Sequence, residues 1–360
     1  MKTQIAYFVS SHGFGHAARS AAIMESLQSI NPNIEFNIFT RIPAWFFANS
    51  KGFNFKIQDL PTDVGMAQKT ALKEDIHETI NLLNDYYPLR NDLLNRVSEI
   101  IGKMGCKLII CDISPLGIAA AKATGIKAVL VENFTWDWIY EKYKPANMGL
   151  NKHIDYLRNI YSLADFRIKT EPFCYESKFD ITTYPVSRKP KQPGIKTREK
   201  LGLGGSEPHI MITMGGINGK YNYIDRLFKF NKINFIIPGI SDKIRTMDNI
   251  ILIPANSDFY HPDIVNASDA VIGKLGYSTL AEVYYAGVAF GYITREEFPE
   301  SLVFENYINK NMNGLKITSY EFESGNWTDK IERLLSIKGI SHNHPYGADQ
   351  AARFINNLIV

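Results

Sequence analysis

One short segment in the second half of the chain combines a lysine, two hydroxyl residues and a glutamate. Lys274 begins it, Ser278 and Thr279 follow, and Glu282 ends it. The apolar run 270–272 before it predicts a strand, and the residues after the turn predict a helix. Amides and hydroxyls at a helix start bind a diphosphate, and a nearby ammonium group stabilises charge on a departing phosphate. The segment therefore predicts a phosphate site.

The rest of this turn extends the predicted site. Gly276 and Tyr277 bring the backbone to the helix start. Glu282 lies one helical turn farther on, where its carboxylate can accept hydrogen bonds from ribose hydroxyls. As an alternative, Ser278 and Thr279 are plain amino-terminal caps and Glu282 is a surface residue. That alternative explains the helix start, but it leaves the preceding Lys-x-Gly sequence unexplained.

A second glycine-rich turn follows the apolar run 209–214. It contains Gly215 and Gly216, which allow the backbone to approach a phosphate or a sugar closely. Both turns follow parallel strands of one predicted sheet, so they lie at its carboxyl edge. We expect the two turns to form a single ligand site.

The first half of the chain has a related turn, residues 10–19, after its first apolar run. Its spacing, with Gly13 and Gly15 before Ala18, matches a weak dinucleotide fingerprint. Such a site needs an acidic residue after the second strand, where the sequence has Arg41 instead. An NADP site that uses Arg41 remains as a minor alternative.

Two histidines give this first turn a different use. His16, at the predicted helix start, is a candidate general base for a hydroxyl group, and His12 is a weaker candidate. Asp112 follows the predicted strand 108–111 and lies at the same sheet edge, where it would orient a histidine or contact a substrate. As an alternative, the histidines and Asp112 merely cap the helices that follow them.

Aromatic residues are concentrated in segment 132–140 and again at residues 45–47. Aromatic rings bind sugar faces and lipid tails, although core packing explains most aromatic stripes. Both patches leave open a peripheral contact with a membrane. On this half of the chain, we expect one substrate to be contacted by Gly13, Phe14, Gly15 and Trp136.

The composition narrows the class of protein. The chain has 360 residues, of which 45% are hydrophobic and 21% charged, and this suits two globular domains. A net charge of +3 is too small to indicate a nucleic-acid partner. Three cysteines without a CxxC pair fit a reducing cytoplasm, and no apolar run approaches the ~20 residues of a membrane span. The oligomeric state is left open.

Short apolar runs alternate with helical segments in both halves, which predicts an α/β protein with two doubly wound domains. The proline-rich stretch 184–194 predicts a linker between them. We expect the first domain to cover residues 1–186 and the second to cover residues 187–346. A final helix, residues 347–360, is expected to cross back to the first domain.

The chain resembles GT-B glycosyltransferases of the MurG type, and more closely the transferase-like amino-terminal region of L-arabinokinase-type proteins. The resemblance spans nearly the whole chain and is carried by segments 13–19, 133–140, 185–190 and 273–282, together with Gly287 and Val288. It implies the GT-B fold, in which two Rossmann-like domains face a central cleft. It also implies a nucleotide-sugar donor on the second domain, with UDP as the expected nucleotide, and an acceptor on the first.

Within this resemblance, Glu282 would hold the ribose, Ser278 and Thr279 the phosphates, and His16 would be the base. Glu300 is a further candidate for contact with the donor's hydroxyls. The turn before His16 departs from the Gly-Gly-Thr-x-Gly-His pattern of the MurG type, so the acceptor stays open among sugars, lipid-linked molecules and other small molecules.

The expected reaction is an inverting transfer to a hydroxyl group, without a cofactor. The chain has no Asp-x-Asp motif, so no metal is expected at the diphosphate. We expect a cytoplasmic protein, with peripheral attachment to the inner face of the membrane left open. One alternative is a hydrolysing nucleotide-sugar 2-epimerase that uses Asp112 and Glu300. The other is a non-catalytic module that binds nucleotide sugars.

Overall fold

The computed structural model describes residues 2–50, 52–215 and 223–359. The chain divides into two compact units. Unit 1 comprises residues 1–68, 74–186 and 344–360, and unit 2 comprises residues 69–73 and 187–343. Gly216, which we expected at the phosphate site, lies outside the described residues.

Strands are distributed through both units. In chain order they are β1 Thr3–Val9, β2 Ile34–Thr40, β3 Phe55–Asp59, β4 Gln68–Thr70, β5 Lys73–Glu74, β6 Leu108–Asp112, β7 Ala128–Glu132, β8 Phe166–Thr170, β9 Ile181–Thr183, β10 His209–Thr213, β11 Asn234–Pro238, β12 Arg245–Met247, β13 Ile250–Ile253, β14 Ala270–Lys274, β15 Ala289–Ile293 and β16 Gly314–Ile317.

Helices connect most of these strands. They are α1 Phe14–Ile30, α2 Ala44–Ala48, α3 Ile76–Tyr86, α4 Asn91–Met104, α5 Pro115–Thr124, α6 Trp136–Glu141, α7 Asn151–Tyr161, α8 Gly194–Lys200, α9 Ile224–Leu227, α10 His261–Ala267, α11 Tyr277–Ala286, α12 Glu300–Asn311, α13 Ser319–Ser324, α14 Ile331–Ser336 and α15 Gly347–Ile359. Short 3-10 segments cover Lys144–Ala146, Met148–Leu150 and Asn326–Lys330.

Unit 1 is built on a seven-stranded sheet in the order β3-β2-β1-β6-β7-β8-β9. All of its strands run parallel. Every residue of β6 and β7 is buried, as expected when helices cover both faces of a parallel sheet. The strand order reverses between β1 and β6, so this is the switch point at which a doubly wound sheet binds its ligand.

Unit 2 repeats this plan with the order β12-β13-β11-β10-β14-β15-β16. Only the edge pair β12 and β13 runs antiparallel in this sheet, within the described part of the chain. Its switch point lies between β10 and β14. The core on one side of the sheet is completed by Trp327, which is fully buried and packs edge-on against Tyr223.

The last helix, α15, belongs to unit 1, where it packs along α1. The Ser26 hydroxyl donates to Asp349 Oδ1 at 2.8 Å, and the Tyr184 amide donates to Gln350 Oε1 at 2.9 Å. Residues from the end of the chain therefore close the core of the unit that contains its beginning.

The structure confirms the α/β class and its two wound parallel sheets. Segment 136–141, noted in the sequence only for its aromatic residues, and segment 151–161 form helices. The 3-10 segment Asn326–Lys330 continues directly into the α-helix Ile331–Ser336. Among the described residues, no helix is both long enough and apolar enough to cross a bilayer.

Candidate active site

His16 and Asp112 meet at the switch point of unit 1. Val9, at the end of β1, pairs in register with Asp112, the last residue of β6, so the turn after β1 passes directly above that carboxylate. His16 follows in the first turn of α1, and its Nδ1 lies 2.6 Å from Asp112 Oδ1. A protonated Nδ1 donates to this carboxylate, which leaves Nε2 as the basic nitrogen of a neutral imidazole.

Arg19 fixes the other side of the Asp112 carboxylate. Its Nε donates to Oδ2 at 2.7 Å and its Nη2 donates to Oδ1 at 2.9 Å, a two-point contact that sets the carboxylate plane. Arg19 Nη1 in turn donates to Asn133 Oδ1 at 2.5 Å. Both members of the pair are buried, with Arg19 1% exposed and Asp112 fully enclosed.

Burial alone would raise the pKa of Asp112, but the charges and hydrogen bonds of Arg19 and His16 outweigh it. The pKa of this carboxyl therefore lies below its usual range, and Asp112 is ionised at neutral pH. A buried anion at this position stabilises an imidazolium on His16. The pair can thus accept a proton from a hydroxyl group and hold it.

Helix capping does not explain these residues. The amino-terminal cap of α1 is Gly13, whose φ is 80° and which provides no side-chain bond, so the capping interpretation of His12 and His16 is wrong. The cap of α5 is Ser114, whose hydroxyl accepts from the Gly117 amide at 3.3 Å, so Asp112 does not serve this purpose either.

His12 lies beside this pair but has different surroundings. Its ring packs edge-on against Trp136 at a centroid distance of 5.1 Å. The Trp136 indole donates from Nε1 to Asp63 Oδ2 at 2.8 Å. Asp63 is half-buried, and loss of water around it raises the pKa of its carboxyl group. Sequence reasoning missed Asp63 because it lies in a loop without a motif.

Two of the residues that we expected to contact the acceptor pack instead against other side chains. Trp136 is fully buried behind His12, so the expectation that it touches a substrate is corrected: it supports the histidine instead. Phe14 is half-buried and stacks on Phe46 at 4.9 Å. Gly13 and Gly15 remain at the surface of the turn.

The phosphate-type residues of unit 2 also assemble at a switch point. Thr213 of β10 pairs with Gly273 of β14, which places the turns after these strands side by side. A Cβ atom on Gly273 would lie 2.8 Å from the Thr213 carbonyl oxygen, so this pairing requires glycine. A Cβ on Gly215, whose φ is 69°, would lie 3.7 Å from Lys274 Cε. Lys274 therefore extends across the Gly215 turn.

The start of α11 is open to a ligand at the backbone. Its cap is Gly276, which has no side chain to bond the first amides, so the interpretation of Ser278 and Thr279 as caps is wrong. Ser278 is half-buried, whereas Thr279 is 5% exposed and lies against Gly273. Tyr277 is buried with its ring 6.2 Å from Phe304, so it offers its amide and not its ring.

Glu282 is the centre of a buried ionic cluster and not the surface residue of the alternative interpretation. Arg188 Nη2 donates to its Oε1 at 2.8 Å, and His261 Nδ1 lies 2.6 Å from its Oε2. Burial opposes ionisation, but the charges of Arg188 and His261 dominate and lower the pKa of Glu282 to about 2. His261 Nε2 lies 3.3 Å from the Thr213 hydroxyl, so the cluster is tied to the switch point.

Sequence reasoning missed both partners of Glu282. Arg188 lies in the proline-rich stretch that we treated only as a linker, and His261 begins α10. A buried glutamate on α11 requires a cation, and the linker's basic residues were the available signal. Glu300, the first residue of α12, is also buried, with its Oε2 3.7 Å from Arg295 Nη2.

A metal site would need several ligating side chains close together in the described part of the chain. No group of three or more His, Cys, Asp or Glu residues there has an arrangement that holds a metal ion.

Comparison with known proteins places this geometry in context. No protein-family model matches the chain. The chain is 26% identical to L-arabinokinase from Arabidopsis thaliana over 360 residues, which cover 99% of this chain and 34% of that protein. The chain thus spans about a third of the length of this relative. It is also 21% identical over 287 residues to an uncharacterized glycosyltransferase from Methanopyrus kandleri, covering 71% of this chain and 77% of that protein.

Solved structures share the architecture at low sequence identity. MurG from Acinetobacter baumannii superposes with a TM-score of 0.56 at 13% identity, covering 99% of both chains. The glycosyltransferase VinC in complex with dTDP has a TM-score of 0.60 at 13% identity, covering 99% of this chain and 95% of that one. Arabidopsis thaliana UGT89C1 complexed with UDP-L-rhamnose has a TM-score of 0.61 at 10% identity, covering 100% of both chains. The chain therefore has the GT-B fold, the structural class that includes MurG.

Proposed function

We propose that this chain is a glycosyltransferase that moves a sugar from a nucleotide-sugar donor to an acceptor hydroxyl. One observation carries the proposal: each unit gathers reactive side chains at its own switch point. Unit 1 holds a histidine against a buried, ionised aspartate, with His16 Nδ1 2.6 Å from Asp112 Oδ1. Unit 2 holds a lysine, an open helix start and a buried glutamate at the corresponding place.

The proposed step is a direct displacement at the anomeric carbon. The acceptor oxygen forms the new bond to that carbon while the bond to the nucleotide diphosphate breaks. The acceptor proton moves to Nε2 of His16, and Asp112 stabilises the resulting imidazolium. The electron pair of the broken bond leaves with the diphosphate, and attack opposite to it inverts the anomeric configuration.

Unit 2 would receive the departing diphosphate. The first amides of α11 point toward its amino-terminal end, and Gly276 leaves them accessible. Lys274 and the Ser278 hydroxyl add a positive charge and a donor at the same end. In this arrangement the protein's own groups neutralise the diphosphate, so we propose transfer that needs no divalent metal.

Glu282 remains our candidate for the donor's ribose. Arg188 and His261 hold its carboxylate ionised and in one orientation. A fixed carboxylate of this kind can accept hydrogen bonds from two adjacent ribose hydroxyls. UDP is the nucleotide that we propose. The solved relatives include complexes with both UDP-L-rhamnose and dTDP, so thymidine nucleotides are the first comparison to make.

The epimerase alternative receives less support from the geometry. It needs carboxylates beside the donor sugar, whereas Asp112 is fully enclosed between His16, Arg19 and Ser20. Glu300 is buried against Arg295. In this structure both carboxylates contact arginines of the protein.

The test is incubation of the full chain with a panel of UDP-, dTDP- and GDP-sugars, with and without a mixture of hydroxyl acceptors. We expect acceptor-dependent release of one nucleoside diphosphate and a product whose anomeric configuration, determined by NMR, is inverted. Release of an epimerised free sugar without acceptor would favour the epimerase. Binding of donors with no turnover for any acceptor would favour a non-catalytic module.

A further inference from the structure

A cavity of about 430 Å³ opens in unit 1 directly beside the turn that carries the histidines. Ser11 and His12 form one wall, and Arg41 lies next to them after β2. The loop 61–67 and the carboxyl-terminal end of α3, with Asp85 and Tyr86, complete the lining. The cavity is therefore continuous with the catalytic turn but lies outside the His16–Asp112 pair.

Gly65 allows the loop 61–67, which lines the cavity, to lie against the His12 side chain. A Cβ atom at this position would lie 2.5 Å from His12 Nδ1 and 2.6 Å from its Cβ, a distance that real atoms do not adopt. The loop can approach the histidine only because residue 65 is glycine. A molecule in the cavity would consequently lie in contact with the histidine-bearing turn.

The lining of the cavity carries both signs of charge. Arg41 and Asp85 both line it and are both exposed, and neither forms an ion pair with another described residue. Asp63 adds a second carboxylate to the lining, and burial raises the pKa of this group. With one arginine and two carboxylates in its lining, the cavity offers hydrogen-bond donors and acceptors but no excess of positive charge to attract an anion.

Size and apolar content point in the same direction. A volume of about 430 Å³ falls in the range of small-molecule sites, roughly 300–1,000 Å³. Pro61, Val64 and Met66 provide aliphatic surface between the polar groups. Sugars and similar polyols have this alternation themselves, with C–H faces beside hydroxyl edges. A carrier diphosphate would bring at least two negative charges to a site with a single arginine.

We propose that this cavity is the acceptor site and that the acceptor is a compact, neutral, polyhydroxylated molecule such as a free sugar or a polyol. Asp85 accepts hydrogen bonds from neighbouring hydroxyls of the acceptor, and Arg41 donates to its hydroxyl oxygens. These two residues determine which acceptor binds. The role of the bound molecule as an acceptor rests on the proposed function. Binding of this class of ligand to the cavity can be tested without turnover.

The first experiment measures binding to the full chain by saturation-transfer NMR and thermal shift. The panel pairs neutral monosaccharides and polyols with their phosphate and carboxylate derivatives. We expect at least one neutral compound to bind, and we expect its affinity to fall about 10-fold or more in Arg41→Gln and in Asp85→Asn, since each loses a hydrogen bond to a charged group. Asp242→Asn and Arg245→Gln are matched controls, because they remove an exposed carboxylate and an exposed arginine from unit 2.

The second experiment measures transfer kinetics with the compound that binds. Asp85→Asn and Arg41→Gln should raise the acceptor KM about 10-fold or more and leave the donor KM unchanged. Gly65→Ala should also raise the acceptor KM, because the added Cβ displaces His12 in the lining of the cavity.

The outcomes separate this inference from the proposed function. Transfer to a lipid-linked diphosphate, with an acceptor KM that neither cavity variant changes, would overturn the inference and leave the function standing. Binding of neutral polyols at the cavity without transfer to any acceptor would support the ligand class of the cavity and overturn the proposed function. If no neutral compound binds up to its solubility limit, the cavity is not the site that we propose.

Discussion

Asp112 lies 2.6 Å from His16 Nδ1 although the two residues are 96 positions apart in the chain. Parallel pairing of β1 with β6 creates this proximity, because it places the end of one strand beside the turn after the other. Arg19, one helical turn beyond His16, binds the same carboxylate from the opposite side. The three residues form a closed ionic unit in which only the far nitrogen of the imidazole is left for chemistry.

Replacing Asp112 tests this unit most directly. In Asp112→Asn the imidazolium loses its buried counter-charge, and Nδ1 faces an amide that no longer fixes the tautomer. We expect kcat to fall roughly 10²- to 10⁴-fold with a much smaller change in the donor KM. The steady-state rate of nucleoside diphosphate release measures kcat. Asp155→Asn, which changes an exposed carboxylate on α7, is the control. An unchanged kcat in the folded variant would remove Asp112 from the mechanism.

His16→Ala should reduce kcat to the level of the Asp112 variant, and combining the two changes should add little. Residues that act on one proton as a unit are strongly non-additive. His77→Ala, an exposed histidine on α3, is the matched control. If the fold reduction in kcat of the double variant equalled the product of the two single reductions, the residues would have independent roles.

Arg19 should matter for stability as well as for activity. In Arg19→Leu the Asp112 carboxylate stays buried without its cation, which costs about 3–5 kcal/mol of unfolding free energy. The double variant Arg19→Leu/Asp112→Leu removes both charges and should recover most of that loss. Urea unfolding of the four members of this cycle measures the effect. A double variant as unstable as the single one would show that the charge itself is not the cause.

The lowered pKa of Glu282 should make the stability difference between the native chain and Glu282→Gln depend on pH. Its pKa is lowered from 4.5 to about 2 in the folded protein, so it stabilises the fold above pH 4.5, and that contribution is lost as the pH falls toward 2. Glu282→Gln should therefore be less stable at pH 7 by on the order of 3 kcal/mol. The difference should shrink progressively between pH 4.5 and pH 2. Glu332→Gln, exposed on α14, is the control and should show no such trend.

Lys274→Met should weaken donor binding. The variant keeps most of the side chain's volume but removes the charge that crosses the Gly215 turn. We expect the Kd for UDP to rise about tenfold, measured by calorimetry, with a larger effect on kcat because charge develops as the diphosphate leaves. Lys229→Met is an exposed lysine control in the same unit. The donor assignment fails if UDP and dTDP bind the Lys274 variant as they bind the native chain.

Chelation tests the proposed neutralisation of the diphosphate by protein groups. Turnover in EDTA should equal turnover in its absence, and added magnesium or manganese should not raise it. If EDTA abolished turnover and either metal restored it, the roles of Lys274 and the α11 amides would have to be reassigned.

Sequence patterns located the two reactive turns because strand, glycine turn and helix start follow one another locally at His16 and at Lys274. They did not reveal the partners that fix the side chains. Arg188 and Glu282 are separated by 94 positions, and their contact depends on how the linker folds back on α11. Periodicity carries no signal for such a pair.

Burial explains the other corrections. Trp136 and Tyr277 have residue types that suit a ligand and positions that suit a site, yet both side chains are enclosed. Whether an aromatic ring at a sheet edge faces a ligand or the core depends on the loops that cover it. For Trp136 the covering element is the loop that contains Asp63, which no local pattern distinguishes.

The position of α15 determines when each unit can be completed during synthesis. Unit 2 consists of residues 187–343 and a five-residue segment, 69–73, from the first half of the chain, whereas unit 1 needs residues 344–360 to cover α1. The ribosome must therefore translate all of unit 2 before the unit translated first can bury its last helix. A fragment that stopped at residue 186 would expose the α1 surface that Asp349 and its neighbours cover, and it should depend on chaperones or on a peptide of residues 344–360 to stay in solution.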